Sequence, residues 1–148
     1  MNPERVCDKG APFDLTFFIE RTVAKKKYYT LEEANAQVPK LLEIVPTMQN
    51  LHSSMSHDFP DVREAWKQSR VNGGSIEGAG YLEKVLRFQR LKRELDLMGA
   101  EIKGIEQGLI DFLSLREGKE VYLCWKYPET RIEFWHDLDT GFGGRQPV

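Results

Sequence analysis

A chain of 148 residues has the size of one domain with one core. Its 41% apolar and 30% charged content is that of a folded protein, and a formal net charge of −2 excludes a global pull toward nucleic acid or an anionic membrane. No apolar run reaches the length of a membrane span, and no basic start precedes an apolar stretch, so a cytoplasmic location is expected. The two cysteines, Cys7 and Cys124, lie far apart and neither belongs to a CxxC pair, which points to free thiols in a reduced compartment rather than a disulfide framework.

Residues 1–24 read as an N-terminal extension whose order the sequence leaves open, and residues 25–148 as a single domain. The lysines at 25–27 are too small a footprint for nucleic acid and fit a solvated run. Thr30 followed by Glu33 has the form of a capping box, so a helix is predicted to begin there. Leu31, Ala34, Val38, Leu41, Val45 and Met48, continued by His52 and Met55, recur in alternating steps of three and four. Pro39 and Pro46 interrupt that helix, and their common side predicts one helix bent twice in the same direction. "DVREAWKQSR" at 61–70 suggests a short helix and "VNGGSIEGAG" at 71–80 a flexible loop. A long helix over 81–107 follows, with a seam through Leu91, Leu95, Met98, Ile102, Ile105 and Leu109.

After Gly108 the period changes to two. "LIDFLSLR", "EVYLCWKY" and "TRIEFWHD" read as three strands joined by turns at "EGK" and "PE". A two-residue turn at Pro128 and Glu129 would set Trp125 opposite Ile132, Leu123 opposite Phe134 and Val121 opposite His136, one apolar face. Tyr122 and Trp135 would then share the other face as a docking patch, and a slip of one residue would exchange the faces of the third strand. The predicted fold class is α+β: a long antiparallel helical hairpin packed on a three-stranded antiparallel β-meander.

The stretches "YYTLEEANAQVPKLLEIVP", "GIEQGLIDFLSLREGKEVYLCWKY" and "IEFWHDLDTGFGGRQPV" resemble a bacterial family known as domain of unknown function 2203, over roughly residues 28–148. The ordered run "FWHDLD", "GF" and "GRQP" carries the resemblance most specifically. It implies a small cytoplasmic bacterial protein, some of whose relatives carry a loose label linking them to cell division. It implies no activity, so no catalytic residues are carried over.

Chemistry-bearing residues concentrate near the C-terminus. His136, Asp137 and Asp139 offer imidazole and carboxylate donors suited to a divalent metal, which needs at least three converging groups. Strand alternation separates His136 from Asp137, so His136 with Asp139 is the easier pair, and a third donor would come from Asp111, Glu133, Cys124 or His52. The simpler reading is a strand-end histidine held by a neighbouring carboxylate, with Asp139 shaping a turn. His52, in an otherwise apolar seam, reads first as a hydrogen-bonded or solvated residue. Cys124 lacks a histidine placed as its base and reads as packed and inert. "GFGGR" is not expected to be a phosphate loop, since only three residues follow Arg145 in this sequence, although Arg145 could hold an anion or pair with Asp137 or Asp139. Lys84, Arg87, Arg90, Lys92 and Arg93 are interleaved with acids and fit a solvated helix face.

The leading functional expectation is a non-enzymatic module that self-associates as a coiled-coil-like homodimer through its helical seams. The rival is a protein binding a divalent metal or small ligand, conceivably an enzyme, centred on His136, Asp139 and Arg145 with His52 as a further metal candidate.

Overall fold

The computed structural model describes residues 26–59 and 78–148. The extension 1–24, the helix expected at 61–70 and most of the loop expected at 71–80 lie outside the described residues. Gly78, Ala79 and Gly80 are already helical.

The capping box is present: Glu33 N–H donates to the Thr30 hydroxyl at 3.2 Å, and Thr30 N–H donates to Glu33 Oε2 at 3.0 Å. Helix α1 spans Leu31–Asn35 and α2 spans Val38–His57. The helix expected as one bent rod is therefore two, broken at Ala36–Gln37. Pro39, near the start of α2, brings no N–H to the Asn35 carbonyl, so the helical ladder restarts rather than bending through it. Pro46 is tolerated inside α2. The α2 side of the seam holds: Val38, Leu41, Val45 and Met48 are buried, joined by Ile44 and Leu51, whereas His52 at its far end is half-buried.

Helix α3 covers Gly78–Leu97 and stops ten residues earlier than its period suggests. Gly99, at φ +69°, takes the left-handed conformation that ends a helix, and Ala100–Gly104 continues as strand β1. Lys40 near the start of α2 pairs with Glu94 near the end of α3, and Lys84 near the start of α3 reaches Ser54 and Asp58 at the end of α2. The two long helices thus run antiparallel.

Five antiparallel strands follow in sequence order: β1, β2 (Leu109–Arg116), β3 (Lys119–Lys126), β4 (Phe134–Asp137) and β5 (Gln146–Pro147). The three expected strands form the centre, and β1 and the short β5 extend the sheet at either edge. Glu117 and Gly118, both at positive φ, make the two-residue turn that joins β2 to β3 with matched twist. One sheet face, with Ile110, Phe112, Leu123 and Trp125, packs under Leu41, Ile44, Val45 and Met48 of α2 and Leu95 of α3. Tyr29 locks the entrance to α1 onto this body: its N–H donates to Leu113 O, its carbonyl accepts from Ser114 and its hydroxyl donates to Met98 O.

The β3–β4 register differs by one residue from the expected one. Tyr122 lies opposite His136 and Leu123 opposite Trp135. The connection is not a two-residue turn but runs from Tyr127 to Glu133, and Ile132 N–H is drawn to the Asn35 side-chain oxygen of α1 at 2.7 Å. The faces of β4 are therefore exchanged: Trp135 turns toward the helices, and Phe134 and His136 turn to the outer face. The expected Tyr122–Trp135 docking patch does not form, because these side chains lie on opposite faces. Among the described residues, no helix is long and apolar enough to cross a membrane.

Candidate metal centre

The two-residue turn fixes Asp111 opposite Cys124, and the shifted register brings His136 onto the same outer face one strand further. One donor atom from each of Asp111, Cys124 and His136 lies within 4.8 Å of the others. All three are sealed from solvent, at 2%, 1% and 2% exposure. The cover is the tail: after β4 the chain turns through Leu138–Gly141 and a short 3₁₀ turn, Phe142–Gly144, before β5 pairs with β4. A cavity of about 130 Å³ lies between the three donors and this cover, lined further by Lys103, Leu109, Tyr122, Leu138 and Phe142.

The hydrogen bonds constrain the protons. His136 Nδ1 meets the Asp137 carbonyl at 2.7 Å, and since a carbonyl only accepts, Nδ1 carries hydrogen. His136 Nε2 lies 3.0 Å from Asp111 Oδ2. Nε2 either bears a second proton as an imidazolium or presents a lone pair, in which case a proton or a cation must lie between it and the carboxylate. Asp111 Oδ1 is buried without a hydrogen-bond partner among the described residues. Burial holds the Asp111 carboxyl above the usual carboxylate range, while the Cys124 thiol, His136 and Lys103 pull it back. Burial also pushes the Cys124 thiol up to about 12, reinforced by the charge of Asp111 and opposed by Arg145.

These features argue against a cysteine nucleophile. A catalytic thiol needs a lowered pKa and a free base nitrogen. Here the thiol is harder to ionise than usual, and both His136 nitrogens are engaged, one by Asp111 and one by the backbone. A metal reverses the situation, because a coordinating cation deprotonates the thiol outright. Thiolate, imidazole and carboxylate together suit zinc, iron(II) or cobalt(II) rather than magnesium or calcium. The Asp137 carbonyl holds the imidazole in the tautomer that offers Nε2, the usual way a ligating histidine is oriented. Both the unpartnered Oδ1 and the room beside the donors fit an ion, with one position left for an exchangeable ligand.

Of His136, Asp139, Arg145 and His52, only His136 lies in this cluster. Asp139 is exposed on the turn, and His52 is half-buried on α2. Arg145 is committed elsewhere: its Nη2 donates to both Glu129 oxygens, at 2.9 and 2.8 Å, and to the Cys124 carbonyl at 3.1 Å. Its guanidinium also lies over the rings of Phe134 and Phe142, so it fastens the tail rather than facing His136. Asp111 and Cys124, possible third donors by residue type, become specific only through register. The signal was present in the "EG" turn, which pairs Arg116 with Lys119 and hence Asp111 with Cys124. Lys103 carried no such signal, since it lies in a segment whose period reads as helix.

The family described as "Uncharacterized conserved protein (DUF2203)" matches residues 27–148. The chain belongs to this family. The match spans every described element from α1 to β5, the three donors and the covering tail included. No match was found among curated proteins or among solved structures.

Proposed function

We propose that this member of the family binds one divalent transition-metal ion, zinc being the best fit, through Asp111, Cys124 and His136. The observation that carries the proposal is a buried convergence of three different donors in which Asp111 Oδ1 has no hydrogen-bond partner outside the cluster among the described residues. Three protein ligands leave a tetrahedral ion one open position, the trait of ligand-exchanging rather than purely structural zinc centres. A reduced, cytoplasmic setting keeps the thiol available as a ligand. The test is equilibrium dialysis of tag-free protein against zinc, followed by elemental analysis. One retained equivalent supports the proposal, with at least a tenfold loss of affinity in Cys124→Ser and His136→Gln at unchanged circular dichroism. Retention that ignores both substitutions would refute it.

Self-association is a second reading, favoured by Leu82 and Leu86, 55% and 49% exposed and one turn apart on α3. The α2 seam gives it no support, because that seam is buried within the chain. Light scattering across a wide concentration range tests it. A dimer abolished by Leu82→Lys with Leu86→Glu supports the reading, and a persistent monomer removes it.

A further inference from the structure

The cavity beside the three donors contains one residue that metal ligation does not explain. Lys103 projects from β1 at the irregularity between Ile102 and Gly104, where pairing with β2 shifts register, and it lines the cavity with Asp111, Cys124 and His136. A bulge of this kind re-aims a side chain and recurs next to functional sites. The Lys103 ammonium lies over the Tyr122 ring, with Nζ 4.1 Å from its centroid, and Nζ is 2.8 Å from Glu101 Oε2. The Tyr122 hydroxyl donates to the same Glu101 oxygen at 3.0 Å. Glu101 and Tyr122 therefore hold the ammonium beside the cavity, and an ammonium has three donors in all.

Size and charge narrow what could enter. A volume of about 130 Å³ holds roughly four water molecules, too little for a nucleotide or a sugar. The remaining walls, Leu109, Leu138 and Phe142, are apolar. A divalent ion held by thiolate, carboxylate and neutral imidazole has no net charge, so an incoming anion needs another cation. Among the described residues lining the cavity, Lys103 is the one cation, and the anion shares its ammonium with Glu101.

Resting on the metal reading, we infer that the cavity takes a small carboxylate-type monoanion, of the size of formate, acetate or bicarbonate. One oxygen of the anion completes the coordination of the ion and the other meets the Lys103 ammonium. Two oxygens on one carbon suit this bridging role between partners set apart, whereas a halide has to meet both from a single atom. The small volume beside Leu138 and Phe142 favours the short acids over those with a longer alkyl chain.

Cobalt(II) substitution separates this inference from the reading beneath it. Thiolate ligation of cobalt gives a near-ultraviolet charge-transfer band, and a change at the open position alters the visible bands. Wild-type protein loaded with cobalt is titrated with formate, acetate and hexanoate at constant ionic strength. Lys103→Met, which keeps an unbranched side chain without the charge, and Lys92→Met, distant on α3, are titrated alongside. Formate and acetate are expected to shift the visible bands and hexanoate to leave them unchanged. Lys103→Met is expected to weaken acetate at least tenfold while keeping the charge-transfer band, and Lys92→Met to behave as wild type. A charge-transfer band with no response to formate or acetate, or equal affinity in Lys103→Met, overturns the anion site and leaves the metal reading standing. Absence of the charge-transfer band overturns both.

Discussion

Asp111 Oδ2 and His136 Nε2 meet at 3.0 Å between side chains that are both 2% exposed, on the sheet face turned away from the helices. Such a pair is costly to bury and expensive to break singly, yet often replaceable as a unit by apolar groups. Asp111→Ala should therefore lower the stability of the metal-free protein by about 1–3 kcal/mol, the cost of leaving a buried polar group unsatisfied. The double change Asp111→Leu with His136→Leu should recover most of that loss. Urea midpoints measure both, and zinc binding should vanish in each. A neutral Asp111→Ala would mean that the pair is not coupled as described.

Alkaline pH isolates Cys124. The titratable and charged groups facing its thiol are Asp111, His136, Arg145 and Glu129, and its folded pKa is raised from 9.0 to about 12. A raised folded pKa means that the native state keeps a proton which the unfolded chain releases. Its contribution is fully present below pH 9 and is lost as pH rises toward 12. The stability difference between metal-free wild type and Cys124→Ala should fall across this window by up to about 1.4 kcal/mol per pH unit. Parallel pH profiles for the two proteins would contradict the assignment.

Arg145 holds the cover in place without serving as a ligand. Its side chain is 12% exposed, forked onto Glu129 and flanked by Phe134 and Phe142. Arg145→Ala should cost about 2 kcal/mol and speed hydrogen exchange at the β5 amides. Lysine cannot reproduce the planar stacking on Phe134 and Phe142, so Arg145→Lys should recover less than half of the loss. Full recovery by lysine would reduce Arg145 to a point charge.

Gly99 ends α3 because its φ is +69° and because a side chain there would meet Tyr29, with a Cβ 2.7 Å from Tyr29 Cε2. Gly99→Ala should lower stability by about 1–3 kcal/mol through backbone strain, as thermal unfolding would reveal. A neutral effect would require the α3–β1 junction to be soft.

What was legible in the sequence was local. The Thr30–Glu33 capping box and the α2 seam each depend on residues a few positions apart and appear where their patterns place them, while the turn expected over "EGK" forms one residue shorter, at Glu117–Gly118. The long helix over 81–107 misled because Met98, Ile102 and Ile105 fit a helical step, while Gly99 had already ended the helix. The centre itself was hidden by a non-local effect. Asn35 accepts from Ile132 N–H across 97 residues of sequence, the β3–β4 connection lengthens, and His136 moves to the face of Cys124. No spacing within "FWHDLD" encodes that shift.

X-ray absorption at the zinc edge of the reconstituted protein tests the metal centre most directly. The expected shell has one sulfur at about 2.3 Å and nitrogen or oxygen neighbours at about 2.0–2.2 Å, with the sulfur lost in Cys124→Ser. A shell of nitrogen and oxygen alone in wild type, or a sulfur that survives Cys124→Ser, would contradict a centre built from Asp111, Cys124 and His136.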